Sequence, residues 1–111
     1  MKHILLCCGG GFSSSLLVTK MQEVAKQYGE DAYQIWAIGV GEVERHLEHL
    51  RKADVLLVAP QVRYLLPDFQ KLAQKEGFQL PIDMIQPMHY GTCNGEAVLT
   101  FANELINKNI S

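Results

Sequence analysis

The 111-residue sequence lacks the features that mark membrane-spanning, disulfide-stabilised and polyanion-binding proteins. Its first apolar run, Ile4 to Cys8, is far shorter than the about 20 residues that span a bilayer, and no signal-peptide cleavage site follows. Ten Lys and Arg residues against twelve Asp and Glu leave no basic excess, which argues against a nucleic-acid partner. Three cysteines, an odd number, favour reduced thiols over a disulfide framework. We therefore expect a cytoplasmic protein without direct membrane insertion.

The pattern that is present predicts a single α/β domain over residues 1–111, because no linker or charge block divides the chain. Four apolar runs alternate with stretches of helical periodicity: His3–Cys7, Tyr33–Ile38, Asp54–Ala59 and Ile82–Ile85. The run from Val55 to Val58 is apolar at every position, which indicates a strand buried on both faces of a parallel sheet. We expect a three-layer domain with a four-stranded parallel sheet, in the order 2-1-3-4, flanked by helices.

Apolar residues at three- and four-residue steps predict four helices. The first begins at about Ser14 or Ser15 and ends at Gly29, and the second is one helix centred near Leu47. The third ends at Gly77, and the fourth follows Asn94 as its N-cap.

The loop after the first strand carries the most information about function, because ligands of such sheets bind at the carboxyl ends of strands. Cys8 opens this loop, three glycines follow, and three serines lead into a helix. Glycines let main-chain N–H groups converge on an anion, and the helix N-terminus adds further unpaired N–H groups. Such a site stabilises a thiolate and a phosphoryl group alike, so we infer that Cys8 is a nucleophile that receives phosphoryl. The predicted phosphate-binding residues are Gly9, Gly10, Gly11, Phe12, Ser13, Ser14 and Ser15.

Known phosphate-binding motifs do not fit this loop. No lysine follows the glycines, as a P-loop requires, and Ser14 fills the third glycine position of a dinucleotide fingerprint, so no cofactor is indicated. Ser14 also stands where cysteine-dependent phosphatases carry their phosphate-clamping arginine. Without a bidentate guanidinium the site would form a thiophosphate but hydrolyse it slowly, as a phosphoryl carrier requires.

Three segments resemble a known family. The stretch from Cys8 to Val18 resembles the phosphorylation loop of the lactose/cellobiose (chitobiose) type IIB component of the bacterial sugar phosphotransferase system. Ala53 to Tyr64 is similar to the family's A-D-x-x-L-x-G-P-Q-x-x-Y stretch, and Tyr90 to Gly95 to its Y-G-x-x-[DN]-G segment. The departures are Gly10 and Phe12 for alanine and methionine, Ala59 for glycine, and Gln86-Pro87 for Asp-Ser.

The resemblance implies a phosphocysteine at Cys8, formed by transfer from a histidine of the IIA component. The acceptor would be a β-linked disaccharide, cellobiose, chitobiose or lactose, during uptake by the membrane component IIC, to which the chain would dock. The family fold has the same 2-1-3-4 sheet and resembles the topology of low-molecular-weight cysteine phosphatases. Two hypotheses compete: a stand-alone cysteine-dependent phosphatase or arsenate-reductase-like enzyme, disfavoured by Ser14, and a non-catalytic binding module.

Other candidates have weaker support. Gln61 and Tyr64 follow the third strand and are possible contacts of a partner or of the Cys8 loop. His89 has no assigned role, and no third ligand accompanies the histidine pair on the second helix, so no metal site is predicted. Cys7 and Cys93 are expected to be bystanders, Cys7 because it points to the face opposite Cys8.

Overall fold

The computed structural model describes residues 1–9 and 12–110, and their side chains except those of Phe12, Ser13 and Ile110. The strands are β1 (Lys2–Cys8), β2 (Tyr33–Gly39), β3 (Val55–Val58) and β4 (Ile82–Met84). The helices are α1 (Phe12–Ala25), α2 (Val40–Arg45), α3 (Glu48–Lys52), α4 (Leu66–Glu76), α5 (Pro87–Gly91) and α6 (Gly95–Ile110). Short 3-10 helices cover Lys26–Tyr28 and Pro60–Leu65.

The four strands form a parallel sheet in the order β2-β1-β3-β4, which confirms the predicted topology. The central strand β1 pairs with both β2 and β3, and its residues from Ile4 to Cys7 are at most 1% exposed. All of β3 is buried as well, as expected for strands covered by helices on both faces. The sheet thus places the end of β1, where Cys8 lies opposite Gly39, in the middle of its carboxyl edge.

The prediction of one continuous second helix is wrong. The helix is divided into α2 and α3 at His46, whose backbone is not helical (φ −130°, ψ 71°). The break leaves both Val43 and Leu50 fully buried, and an apolar spacing alone does not distinguish two short helices from one long helix. The first helix also begins earlier than expected, at Phe12, and the short helix α5 was not predicted.

The predicted helix ends near Gly77 and Asn94 are confirmed. Gly77 adopts the left-handed conformation at the end of α4 (φ 77°), and its N–H donates to the carbonyls of Ala73 and Gln74. Asn94 Oδ1 accepts a hydrogen bond from Ala97 N–H at 3.1 Å, which caps α6. Within residues 1–9 and 12–110, no helix combines the length and the hydropathy that a bilayer span requires.

Candidate active site

Cys8 is the last residue of β1, and its sulfur lies at the first turn of α1. Cys8 Sγ is 2.9 Å from Ser14 Oγ and 3.8 Å from the carbonyl oxygen of Ile38. The side chain is only 6% exposed, since β1 is central and α1 packs over its end. A protonated thiol can donate to Ile38 or Ser14, whereas a thiolate can only accept, and Ser14 Oγ–H is then its donor. The sulfur thus has one hydroxyl partner and one carbonyl partner, and it lies at the N-terminal end of a 14-residue helix.

Ser14 contacts the sulfur itself, which the sequence did not predict. It is the buried polar residue among the described side chains, 4% exposed, and its hydroxyl is directed at Cys8. Ser14 therefore supplies a neutral donor, without positive charge, where a cysteine phosphatase has arginine. Ser15, by contrast, is exposed, and Gly9 beside Cys8 is exposed too.

We expect Ser14→Ala to slow alkylation of Cys8 by iodoacetamide at pH 7 about tenfold, because a hydrogen bond to a charged group contributes about 1.5–3 kcal/mol. Peptide mass spectrometry after timed alkylation measures the rate at Cys8 alone. Ser15→Ala is the matched control, since its side chain is exposed one residue away. Equal Cys8 alkylation rates in Ser14→Ala and the native protein would contradict a thiolate-stabilising role for Ser14.

Tyr90 is a buried residue whose pKa responds to the charge of Cys8, and the sequence did not predict this. It lies on α5, which follows the end of β4, and it is 7% exposed. No fully buried polar side-chain atom among the described residues lacks a hydrogen-bond partner. Burial raises the pKa of Tyr90, and the neighbouring sulfurs of Cys8 and Cys93 raise it further. The Tyr90 hydroxyl thus stays protonated at neutral pH. The sequence signal for this position was the Tyr90-Gly91 pair within the family-like segment.

Cys7 lies on the other face of β1 and is fully buried. Burial raises its pKa from 9.0 to about 12, and negative charge on Cys8 adds to the shift. Cys7 therefore stays a thiol at neutral pH and is a poor nucleophile. Cys93 is half-buried in the turn between α5 and α6, with a left-handed backbone (φ 49°).

Cys7 makes the native protein sensitive to high pH. Because its pKa is raised on folding, the unfolded chain ionises first, so stability is lost as pH rises through the range above 9. We expect the urea midpoint to fall more between pH 8 and pH 10 in the native protein than in Cys7→Ala. Circular dichroism at both pH values measures it; equal falls in the two proteins would contradict the prediction.

The segment after β3 contacts the loop after β1. Val62 is buried, and a Cβ placed on Gly9 would meet Val62 Cγ1 at 3.4 Å, an ordinary contact that leaves room for a methyl group. Gly9 does not adopt the left-handed conformation, so neither space nor backbone shape requires glycine there. Gln61 and Tyr64 flank Val62 in the same 3-10 helix, and both side chains are exposed.

The other predicted positions are only partly described. Gly10 and Gly11 lie outside the described residues, and the side chains of Phe12 and Ser13 are not described. His89 is half-buried on α5. Within residues 1–9 and 12–110, no three histidine, cysteine or acidic side chains form a group suited to a metal ion.

Comparison with known proteins gives a consistent result. A profile of the family described as "PTS system, Lactose/Cellobiose specific IIB subunit" matches residues 3–101. The sequence is 43% identical over 96 residues to an oligo-beta-mannoside-specific EIIB component of Bacillus subtilis, covering 86% of this chain and 87% of the relative. It is 39% identical over 108 residues to a galactose-specific EIIB component of Lactococcus lactis, covering 96% and 97%. A solution structure of a cellobiose-specific IIB protein from Borrelia burgdorferi superposes with a TM-score of 0.75 at 34% identity, covering 97% and 94% of the two chains.

Proposed function

Because the chain belongs to the lactose/cellobiose-specific IIB family of the sugar phosphotransferase system, we propose that it is a phosphocarrier that uses Cys8 as its phosphoryl acceptor. Components of this kind work with IIA and IIC partners in sugar uptake. The observation that carries the proposal for Cys8 is its sulfur, 2.9 Å from the Ser14 hydroxyl at the first turn of α1. The proposed unit is the whole chain, residues 1–111, working in the cytoplasm and docking to the membrane component IIC.

In the first step, the Cys8 thiolate attacks the phosphorus of a phosphohistidine on IIA. The S–P bond forms as the N–P bond breaks, and the electron pair of that bond returns to the imidazole nitrogen. The negative charge that the sulfur loses passes to the departing imidazole, which takes up a proton, while the two charges of the phosphoryl group stay on its three oxygens. Main-chain N–H groups at the start of α1 would stabilise these oxygens, and the residues proposed for this role are Gly9, Gly10, Gly11, Phe12, Ser13, Ser14 and Ser15.

In the second step, a sugar hydroxyl held by IIC attacks the phosphorus, and the S–P bond breaks to regenerate the thiolate. The hydroxyl proton goes to a base of the acceptor complex. Ser14 stabilises the departing thiolate through the hydrogen bond that it also makes in the resting protein. We infer that the acceptor is a β-linked disaccharide of the cellobiose, chitobiose or lactose kind. Two relatives are named for oligo-beta-mannoside and cellobiose, and a third is named for galactose.

The phosphoryl group is retained between the two steps because Ser14 carries no positive charge. Hydrolysis by water needs strong stabilisation of charge in the transition state, which the arginine of cysteine phosphatases supplies. Ser14 offers one neutral hydroxyl at that position, 2.9 Å from Cys8 Sγ, which is a single donor without positive charge. The alternative of a stand-alone phosphatase is therefore not favoured.

Exposed apolar side chains around the carboxyl edge of the sheet support docking of a protein partner there. Leu16 is 50% exposed, Tyr64 70% and Met88 74%, and they follow β1, β3 and β4 respectively. Large apolar residues exposed together are typical of interaction surfaces. We propose that Tyr64, with Gln61 beside it, contacts the partner and not the phosphoryl group.

The test of the proposal is phosphorylation by the general phosphotransferase proteins and the IIA partner. Incubation with phosphoenolpyruvate is expected to add one phosphoryl group, and peptide mass spectrometry should locate it on Cys8. The adduct should be cleaved by iodine, as a thiophosphate is. Absence of the adduct under conditions in which IIA itself becomes phosphorylated would refute the assignment.

We expect Tyr90→Phe to lower the rate of phosphoryl acceptance about tenfold with little loss of stability, because the ring stays buried and only the donor is removed. Stopped-flow or quench-flow transfer from phosphorylated IIA measures the rate. Tyr64→Phe is the matched control, as it removes the hydroxyl of an exposed tyrosine. Equal rates for Tyr90→Phe and Tyr64→Phe would exclude a role for the buried hydroxyl.

A further inference from the structure

A groove of about 500 Å³ lies beside the carboxyl end of β4, outside the Cys8 site. Its apolar lining comes from buried Ile85 and Val98 and from half-buried Phe101, and polar side chains line the rest. One wall is α5, which contributes His89, and the other is the face of α6 between Glu96 and Glu104. We call this the α6 groove. A concave surface that combines apolar side chains with a few polar groups is the usual form of a recognition site.

The acidic residues that line the α6 groove give it negative charge. Glu96 and Glu104 line it and are exposed, whereas its lining contains no Lys or Arg. Neither carboxylate forms a salt bridge with another residue of the described chain. The two glutamates are two helical turns apart, about 12 Å along the axis at 1.5 Å per residue. An extended segment covers that distance in about four residues, so two cationic side chains four residues apart match the two carboxylates.

The position of the α6 groove connects it with phosphoryl transfer. Ile85 directly follows β4, so the groove opens at the same edge of the sheet as Cys8. His89 lines the groove, and the next residue, Tyr90, is the buried neighbour of Cys8. A partner seated in the groove would therefore contact the helix that carries Tyr90.

We propose that the α6 groove binds a basic segment of a cytoplasmic loop of the membrane component, with Glu96 and Glu104 pairing two Lys or Arg side chains. This inference rests on the proposed function, since it names a surface for the acceptor partner. Cytoplasmic loops of membrane proteins are enriched in Lys and Arg, which gives the charge complementarity. Anionic lipid headgroups would be repelled by the same carboxylates, so a protein loop is the occupant and not the bilayer.

The first test uses a peptide probe, acetylated and amidated Arg-Ala-Leu-Ala-Arg, titrated into the intact ¹⁵N-labelled protein. Amide shifts are expected along α6 from Glu96 to Glu104 and at His89, and Glu96→Gln/Glu104→Gln should weaken binding at least about fivefold. The matched control is Glu42→Gln/Glu44→Gln, which removes two exposed charges of α2 outside the groove. Equal weakening by both double variants, no shifts in the groove, or stronger shifts there with cellobiose alone would overturn the proposal.

The second test separates the acceptor step from the donor step. With membrane vesicles that contain IIC, Glu96→Gln/Glu104→Gln is expected to lower sugar phosphorylation about tenfold, while phosphorylation of Cys8 by IIA in solution stays at the native rate. Unchanged sugar phosphorylation would overturn the proposed groove. Failure of the native protein to be phosphorylated by IIA would instead refute the phosphocarrier function, and peptide binding to the groove would still be measurable.

Discussion

Cys8→Ser is expected to lower the rate of phosphoryl acceptance from IIA by roughly 10³-fold or more, because the variant removes the only proposed nucleophile. A serine hydroxyl stays protonated at neutral pH and has no adjacent general base, since the partners of the sulfur are the Ser14 hydroxyl and the Ile38 carbonyl. Transfer from phosphorylated IIA, followed by intact-protein mass spectrometry over time, measures the rate. The substitution is small, so circular dichroism should show a native fold.

The other two cysteines supply matched controls. Cys7→Ala and Cys93→Ala are expected to keep acceptance within about threefold of the native rate, because Cys7 faces the opposite side of β1 and Cys93 lies in the turn before α6. A Cys8→Ser protein that accepts acid-stable, iodine-insensitive phosphate at the native rate would refute the assignment. So would transfer of the label to Cys93.

The sheet was predictable from the sequence because parallel strands covered on both faces must be apolar at nearly every position. The run Val55 to Val58 satisfies this, and the spacing of the runs left room for one helix-containing connection after each strand. The break at His46 was not predictable, because Val43, Leu47 and Leu50 occupy a buried face in one helix or in two. The spacing of apolar residues predicts which residues are buried. It does not predict the path of the backbone between them.

Only the part of the candidate site formed by residues close together in sequence was predictable. Cys8, the glycines and the serines are neighbours in sequence, so an anion-binding turn could be inferred without knowing the fold. The contact of Ser14 with the sulfur depends on where α1 begins, two or three residues before the predicted start. Tyr90 lies 82 positions beyond Cys8, and the packing of α5 against α1 and α6 brings it close enough for the charge of the sulfur to act on it.

The helices α1 and α6 cross so closely that a side chain at the crossing point would clash. An ideal Cβ on Gly95 would lie 2.6 Å from the carbonyl carbon of Lys20 and 2.7 Å from the nitrogen of Met21, both backbone atoms of α1. Backbone in the middle of a helix cannot rotate away as a side chain end can, so the two helices must separate to admit a methyl group. Gly95 is therefore required for close approach and not for an unusual φ.

Gly95→Ala is accordingly expected to lower the free energy of unfolding by about 3 kcal/mol and the melting temperature by roughly 10 °C. Thermal and urea unfolding followed by circular dichroism measure both quantities. Gly41→Ala is the matched control: it lies in α2, a Cβ there meets nothing within 4 Å, and the alanine should stabilise the protein by about 0.4–1 kcal/mol. A Gly95→Ala protein as stable as the native one would show that α1 and α6 separate at little cost.

Gly95→Ala is also expected to slow phosphoryl acceptance, because of the order of the elements along the chain. Gly95 begins α6 immediately after the turn that joins it to α5, so separation of α6 from α1 displaces the helix that carries Tyr90. At a temperature where Gly95→Ala is still folded, phosphoryl acceptance should fall about as far as in Tyr90→Phe. The double variant should then be no slower than Gly95→Ala alone, because both changes remove the same donor. A further fall in the double variant would show that Tyr90 keeps its position when the helices part, and that the stability and transfer effects of Gly95 are independent.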